Sequence, residues 1–101
     1  MLLVFCTFPD SEKARQIGTL LVERQLVACV NLLPGVEAIY RWQGKVETAG
    51  EVLAIFKTTA EVYPAFEKAL AELHPYEVPE IVAISPESVS EPYAKWLKGE
   101  L

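Results

Sequence analysis

Three short segments of this chain, Leu2-Leu3-Val4-Phe5, Val52-Leu53-Ala54-Ile55-Phe56 and Ile81-Val82-Ala83-Ile84, are apolar at every position. Their length and β-branched or aromatic content fit strands, yet they lack the period-2 alternation of a strand with one wet face. Both faces of the sheet they build must therefore be covered. A chain of 101 residues has material for one core and its covering helices, so a single domain over 1–101 is expected. Apolar residues make up 51% of it and charged residues 23%, well outside the disordered range. Another copy of the same chain is the economical cover for the face the helices leave bare.

Between the apolar runs the punctuation sets an order of elements. Leu2 to Phe8 reads as a strand stopped by Pro9, and Asp10 or Ser11 offers a helix N-cap. Ala14, Ile17, Gly18 and Leu21 then recur at helical spacing, predicting an amphipathic helix from Ser11 to about Gln25. Ala28 to Leu33 and Val36 to Trp42 read as one long strand interrupted by a kink or bulge at Pro34-Gly35. Gln43-Gly44 is a two-residue turn into a return strand from Lys45 to Thr58. Thr58 and Glu61 fit a capping box ahead of a helix that buries Phe66, Ala69, Leu70 and Leu73, with Pro64 in its first turn. Two prolines make His74-Pro75-Tyr76-Glu77-Val78-Pro79 a rigid connector. Glu80 to Ser85 is a last strand, and Glu91 to Leu101 a short C-terminal helix. Strand, helix, strand, strand, helix, strand is the order of an α+β ferredoxin-like sandwich (βαββαβ) with an antiparallel sheet.

Charge and motif narrow the function. Nine Lys and Arg against fourteen Asp and Glu give a net charge of −5, the wrong sign for a nucleic-acid partner. No apolar run approaches the ~20 residues that cross a bilayer, so no membrane partner is expected. The first residues lack a basic region and read as a strand rather than a signal peptide, which makes a cytoplasmic location the expectation. There is no G-x-S-x-G, Gly-rich phosphate loop, H-E-x-x-H or C-x-x-C, and His74, the one histidine, has no nucleophile beside it in sequence. A non-enzyme is expected.

Several segments together resemble the CutA divalent-cation tolerance family: Cys6-Thr7, Ala28-Cys29-Val30-Asn31, Tyr40-Arg41-Trp42-Gln43-Gly44-Lys45, Lys57-Thr58-Thr59, His74-Pro75-Tyr76-Glu77-Val78-Pro79-Glu80-Ile81 and Tyr93-Ala94-Lys95-Trp96-Leu97. The match spans nearly the whole chain. The resemblance implies a homotrimer of ferredoxin-like subunits, similar in architecture to PII signalling proteins, linked to tolerance of copper and other divalent metals, without enzymatic activity. It also implies Cys6 and a histidine before the Pro-Tyr as copper ligands. Where some relatives have two histidines this chain has Leu73-His74, so one imidazole is missing. Cys29 is a second possible thiolate, and sulfur with imidazole suits copper or zinc better than calcium or magnesium. No cofactor is expected to be needed for folding.

Each candidate has a plainer reading. A cysteine inside an apolar strand commonly behaves as a small hydrophobe. The usual strand order puts the strands of Cys6 and Cys29 two spacings apart, ~9.5 Å. His74 closes a helix, where an imidazolium would meet the macrodipole. Tyr40, Trp42, Tyr76 and Trp96, with Glu51 and Lys57, form either a cleft between subunits or ordinary interface packing, in which Glu51 and Lys57 would pair. The leading expectation is a cytoplasmic homotrimer that binds divalent or soft metal ions, copper first, and contributes to cation tolerance and metal homeostasis; the alternative is a PII-like trimeric regulator or scaffold that binds a small molecule or a protein.

Overall fold

A computed structural model describes all 101 residues, Met1 to Leu101. Strand β1 spans Leu2–Phe8. Asp10 follows Pro9 in extended backbone, and its carboxylate accepts the Lys13 amide N–H at 2.7 Å, satisfying one of the free donors of the first turn of helix α1, Ser11–Glu23. The helix buries Ala14, Ile17, Gly18 and Leu21, the expected face. It stops two residues before Gln25, which takes a left-handed φ of 58°. The Gln25 N–H then reaches the Val22 carbonyl and the Leu26 N–H the Leu21 carbonyl, the double bond of a Schellman close usually built on glycine.

Strands β2 (Cys29–Trp42) and β3 (Lys45–Thr58) form the long hairpin. Gln43 and Gly44 both have positive φ, 51° and 80°, the mirror-image turn that matches strand twist. The ladder shifts between Leu33 and Val36, where Pro34 supplies no N–H and Gly35 takes φ 81°. Helix α2 runs Tyr63–Leu73 with Pro64 in its first turn. Its start corrects the expected capping box. Thr58 is instead the buried last residue of β3, its hydroxyl donating to the Leu26 carbonyl at 2.8 Å, while Thr59 Oγ1 accepts the Val62 N–H. Strand β4 is also shorter than expected, only Val82–Ile84, because those three residues are the ones that meet β1, opposite Phe5, Val4 and Leu3. Helix α3 is Glu91–Gly99.

The sheet is antiparallel in the order β2-β3-β1-β4, the ferredoxin-like arrangement. Val4, Cys6 and Phe8 of β1 and Val52, Ala54 and Phe56 of β3 face α1 and α2, and with Ile17, Leu21, Phe66 and Leu70 they make the core. Gly18 lets α1 come down onto β2, since a Cβ there would meet Val30 Cγ1 at 3.1 Å. Each large side chain of this core, Val, Leu, Ile or Phe, contributes roughly 1.5–3 kcal/mol by leaving water.

Alternation sends Leu3, Phe5, Leu53 and Ile55 to the other face, and register puts Leu33, Val82 and Ile84 beside them. Leu33, Val82 and Ile84 are all exposed. Beyond the bulge the hairpin continues as an arm, which stretches the molecule to 44 Å against 26 and 23 Å in the other directions. Tyr40 and Trp42 are exposed on one face of this arm, and Ile39 (67%) and Val46 (69%) on the other.

Candidate functional site

The connector after α2 organises the polar cluster. Pro75 forces His74 into extended backbone (φ −69°, ψ 137°), which ends the helix and turns the imidazole back over the end of β1. His74 Nε2 lies 2.8 Å from the Thr7 carbonyl, Nδ1 lies 3.0 Å from the Tyr76 N–H, and the ring stacks on Phe8 at 4.7 Å. A nitrogen facing an N–H must offer a lone pair, so Nδ1 accepts and Nε2 carries the proton donated to Thr7. The residue is only 7% exposed. Burial pushes its pKa down, against the opposing pull of the Thr7 bond and the Glu51 charge. Two residues on, the Tyr76 hydroxyl donates to Glu51 Oε2 at 2.7 Å. Burial first, then this bond and the Glu51 charge, hold the phenol well above its usual pKa, and the fields of Tyr40 and Asp10 add to the effect.

Cys6 lies beside this cluster on the helix side of the sheet, fully buried, its S–H directed at the Thr7 carbonyl at 3.8 Å. Burial, reinforced by Glu80 and Glu51, pushes its thiol up to about 12. Cys6 and His74 therefore converge on one oxygen, but as a protonated thiol and an imidazole with both nitrogens engaged. A soft cation needs a thiolate and a free ring lone pair. The residues in this conformation do not supply them. Cys29 gives no help within the chain. It pairs with Lys57, whose partner on β1 is Leu3, so it occupies the opposite face from Cys6. No three His, Cys, Asp or Glu side chains gather where they could hold an ion.

The six residues expected around a cleft fall in three places. Glu51 and Tyr76 are bonded, with Tyr40 close enough to be felt by the Tyr76 phenol. Lys57 lies about 20 Å further along β3, six residues at roughly 3.3 Å each. Its ammonium donates to Asn31 Oδ1 at 2.6 Å and sits over the Tyr93 ring at 5.6 Å. Trp96 packs on Tyr93 and lines a shallow groove between α1 and β2 with Val22, Val30 and Cys29. Trp42 stands near the hairpin tip, opposite Lys45. One chain does not unite the three places. The partners of Lys57 were not singled out from sequence, although Asn31, a poor strand former inside Cys29-Val30-Asn31-Leu32-Leu33, was a usable signal. The Thr7 carbonyl carries no side-chain signal at all.

Fold and cluster together define a ferredoxin-like α+β protein with helices α1 and α2 on one sheet face, apolar side chains on the other, and a part-buried hydrogen-bonded cluster at the strand ends. The chain belongs to the CutA1 divalent ion tolerance protein family, which matches residues 2–100. It is 45% identical over 96 residues to the divalent-cation tolerance protein CutA of Thermus thermophilus, covering 95% of this chain and 93% of that protein. It is 42% identical over 100 residues to the corresponding protein of Pyrococcus horikoshii, covering 99% and 97%. The human protein CutA is 40% identical over 93% of this chain, which spans about half (52%) of its length. The crystal structure of CutA1 from Pyrococcus horikoshii superposes with a TM-score of 0.94 at 41% identity over 99% of this chain and 97% of that one. That from Thermus thermophilus gives 0.92 at 45% identity over 96% and 95%. The family bears the name of a tolerance protein, not of an enzyme.

Proposed function

We propose that this chain serves divalent-cation tolerance as a cytoplasmic homotrimer that acts as a regulator or scaffold, recognising a small molecule or a protein in clefts between its copies. The observation that carries this reading is the uncovered apolar face of Leu3, Phe5, Leu33, Leu53, Ile55, Val82 and Ile84, continued onto the arm by Tyr40 and Trp42. A two-fold dimer would cover one such face. Ile39 and Val46 on the reverse of the arm ask for a second neighbour, which a ring of three or more copies provides. Assembly would also bring Glu51, Tyr76, Lys57 and Trp96 of different copies within reach of one another, giving clefts with aromatic walls and a few charges. Two unpaired cysteines accord with a reducing compartment. Sedimentation equilibrium tests the assembly, and melting-temperature shifts across a metabolite library test the recognition. A monomer at micromolar concentration would end the proposal.

One observation favours copper handling as a second reading: Cys6 Sγ and His74 Nε2 converge on the Thr7 carbonyl. An ion there would have to displace the thiol proton and free a ring nitrogen. Anaerobic titration of the reduced, metal-free protein with Cu(I) and Cu(II), beside Cys6→Ser and His74→Ala, tests it. A stoichiometric site lost in either variant would establish it, and weak binding indifferent to both would remove it.

A further inference from the structure

We infer that His74 is a positioning residue rather than an ion ligand: as the Nε2–H tautomer it fastens the connector to β1 and aims the Tyr76 hydroxyl at Glu51. Three contacts define the fastening. Nε2–H donates to Thr7 of β1, Nδ1 accepts from the Tyr76 backbone, and the ring lies flat on Phe8 at an interplanar angle of 23°. The His74 and Tyr76 rings also touch, with centroids 4.9 Å apart. Between α2 and β4 the chain has no regular structure, so its residues lack a ladder to hold them in place. The backbone of Tyr76 is bonded to the imidazole itself, which makes the ring the reference point for its side chain.

The other end of this relay is well placed. Glu51 pairs with Val36, the first β2 residue beyond the bulge, so the Tyr76–Glu51 bond ties the connector to the root of the arm. The relay Thr7, His74, Tyr76, Glu51 thus joins the end of β1 to the base of the longest projection of the sheet. Loss of the imidazole would leave the Tyr76 N–H and the Thr7 carbonyl without these partners and free the phenol to swing away. None of this depends on what the assembled protein binds.

The chain holds one histidine, so its ring nitrogens can be assigned without ambiguity in the intact 15N-labelled protein. The expected spectrum shows a protonated Nε2 and an unprotonated, hydrogen-bonded Nδ1, unchanged on adding one equivalent per protomer of zinc ions or, anaerobically, of Cu(I). A proton on Nδ1, or ring resonances that shift stoichiometrically with either ion, would overturn the inference and leave the copper reading standing. A double-mutant cycle of Tyr76→Phe and Glu51→Gln, read from guanidinium unfolding at fixed protomer concentration, should show coupling in the parent and none in a His74→Phe background. Phenylalanine keeps the stacking but neither hydrogen bond. Equal coupling in both backgrounds would equally overturn it, and should His74→Phe fail to fold, the spectrum decides alone.

Discussion

Cys6 and Cys29 lie on opposite faces of the same sheet, Cys6 paired with Ala54 beneath the helices and Cys29 paired with Lys57 on the uncovered side. The two thiols should therefore behave as unrelated groups. In the native protein at pH 8, a disulfide reagent is expected to modify Cys29 alone, because Cys29 also lines the shallow groove between α1 and β2 at the sheet edge, and Cys29→Ser should abolish the fast reaction. Cys6 should react only on unfolding, since it is fully buried and its thiol is pushed up to about 12. Two thiols reacting at similar rates in the folded state would show that the cluster around Thr7 opens readily.

The same cluster sets a pH profile for stability. Cys6 and Tyr76 have raised folded-state pKa values, so their contribution is complete below the unfolded thiol and phenol ranges and is lost as pH climbs through the folded values. His74 is shifted the other way. Its contribution is present above the unfolded imidazole value, about 6.5, and falls away as pH drops below it. Denaturation midpoints at fixed protomer concentration should accordingly form a plateau between about pH 6.5 and 9, falling on both sides. Cys6→Ala should flatten part of the alkaline limb, and an unchanged limb would place the thiol in a wetter setting.

A charge on the uncovered face should act on assembly before it acts on the fold. Ile55→Lys puts an ammonium between Leu53 and Lys57 on that face, opposite Phe5 and Asn31. Sedimentation is expected to shift to the monomer, with helical circular dichroism retained at low temperature. Trp42→Ala should weaken assembly less, since one arm contact is lost while the sheet face remains. An Ile55→Lys protein that sediments like the parent would mean the interface lies elsewhere.

Gln25 occupies a left-handed position where its Cβ is a steric cost. Gln25→Gly should raise stability by about 0.5–1 kcal/mol, read as a higher denaturation midpoint at unchanged slope. The long 3.4 Å contact from Gln25 Nε2 to the Glu100 carbonyl is exposed and should offset little of that gain. A loss of stability would show that this contact anchors the end of α3.

Much of the fold was legible because its signals are local. Helical spacing of Ala14, Ile17, Gly18 and Leu21, the Gln43-Gly44 turn and the Pro34-Gly35 interruption each act within a few residues, and each element formed where its pattern lies. The misplaced features were those settled by distant partners. Thr58 looked like a helix cap, but the Leu26 carbonyl, far off in sequence, captured its hydroxyl. Glu80 to Ser85 looked like a full strand, yet only Val82–Ile84 meets β1. In the candidate site, Cys6 and His74 could be named as a pair, while their shared acceptor, a main-chain oxygen, had no side chain to announce it.

The sequence by itself determined the order of elements, the apolar excess of the strands and the family, since these follow from periodicity, composition and residues read in line. Tertiary structure alone decided which groups are chemically free. Protonation and hydrogen-bond commitment depend on burial and on partners brought together by the sheet, which is why Cys6 holds its proton, His74 has both nitrogens engaged, and Cys29 faces away from both.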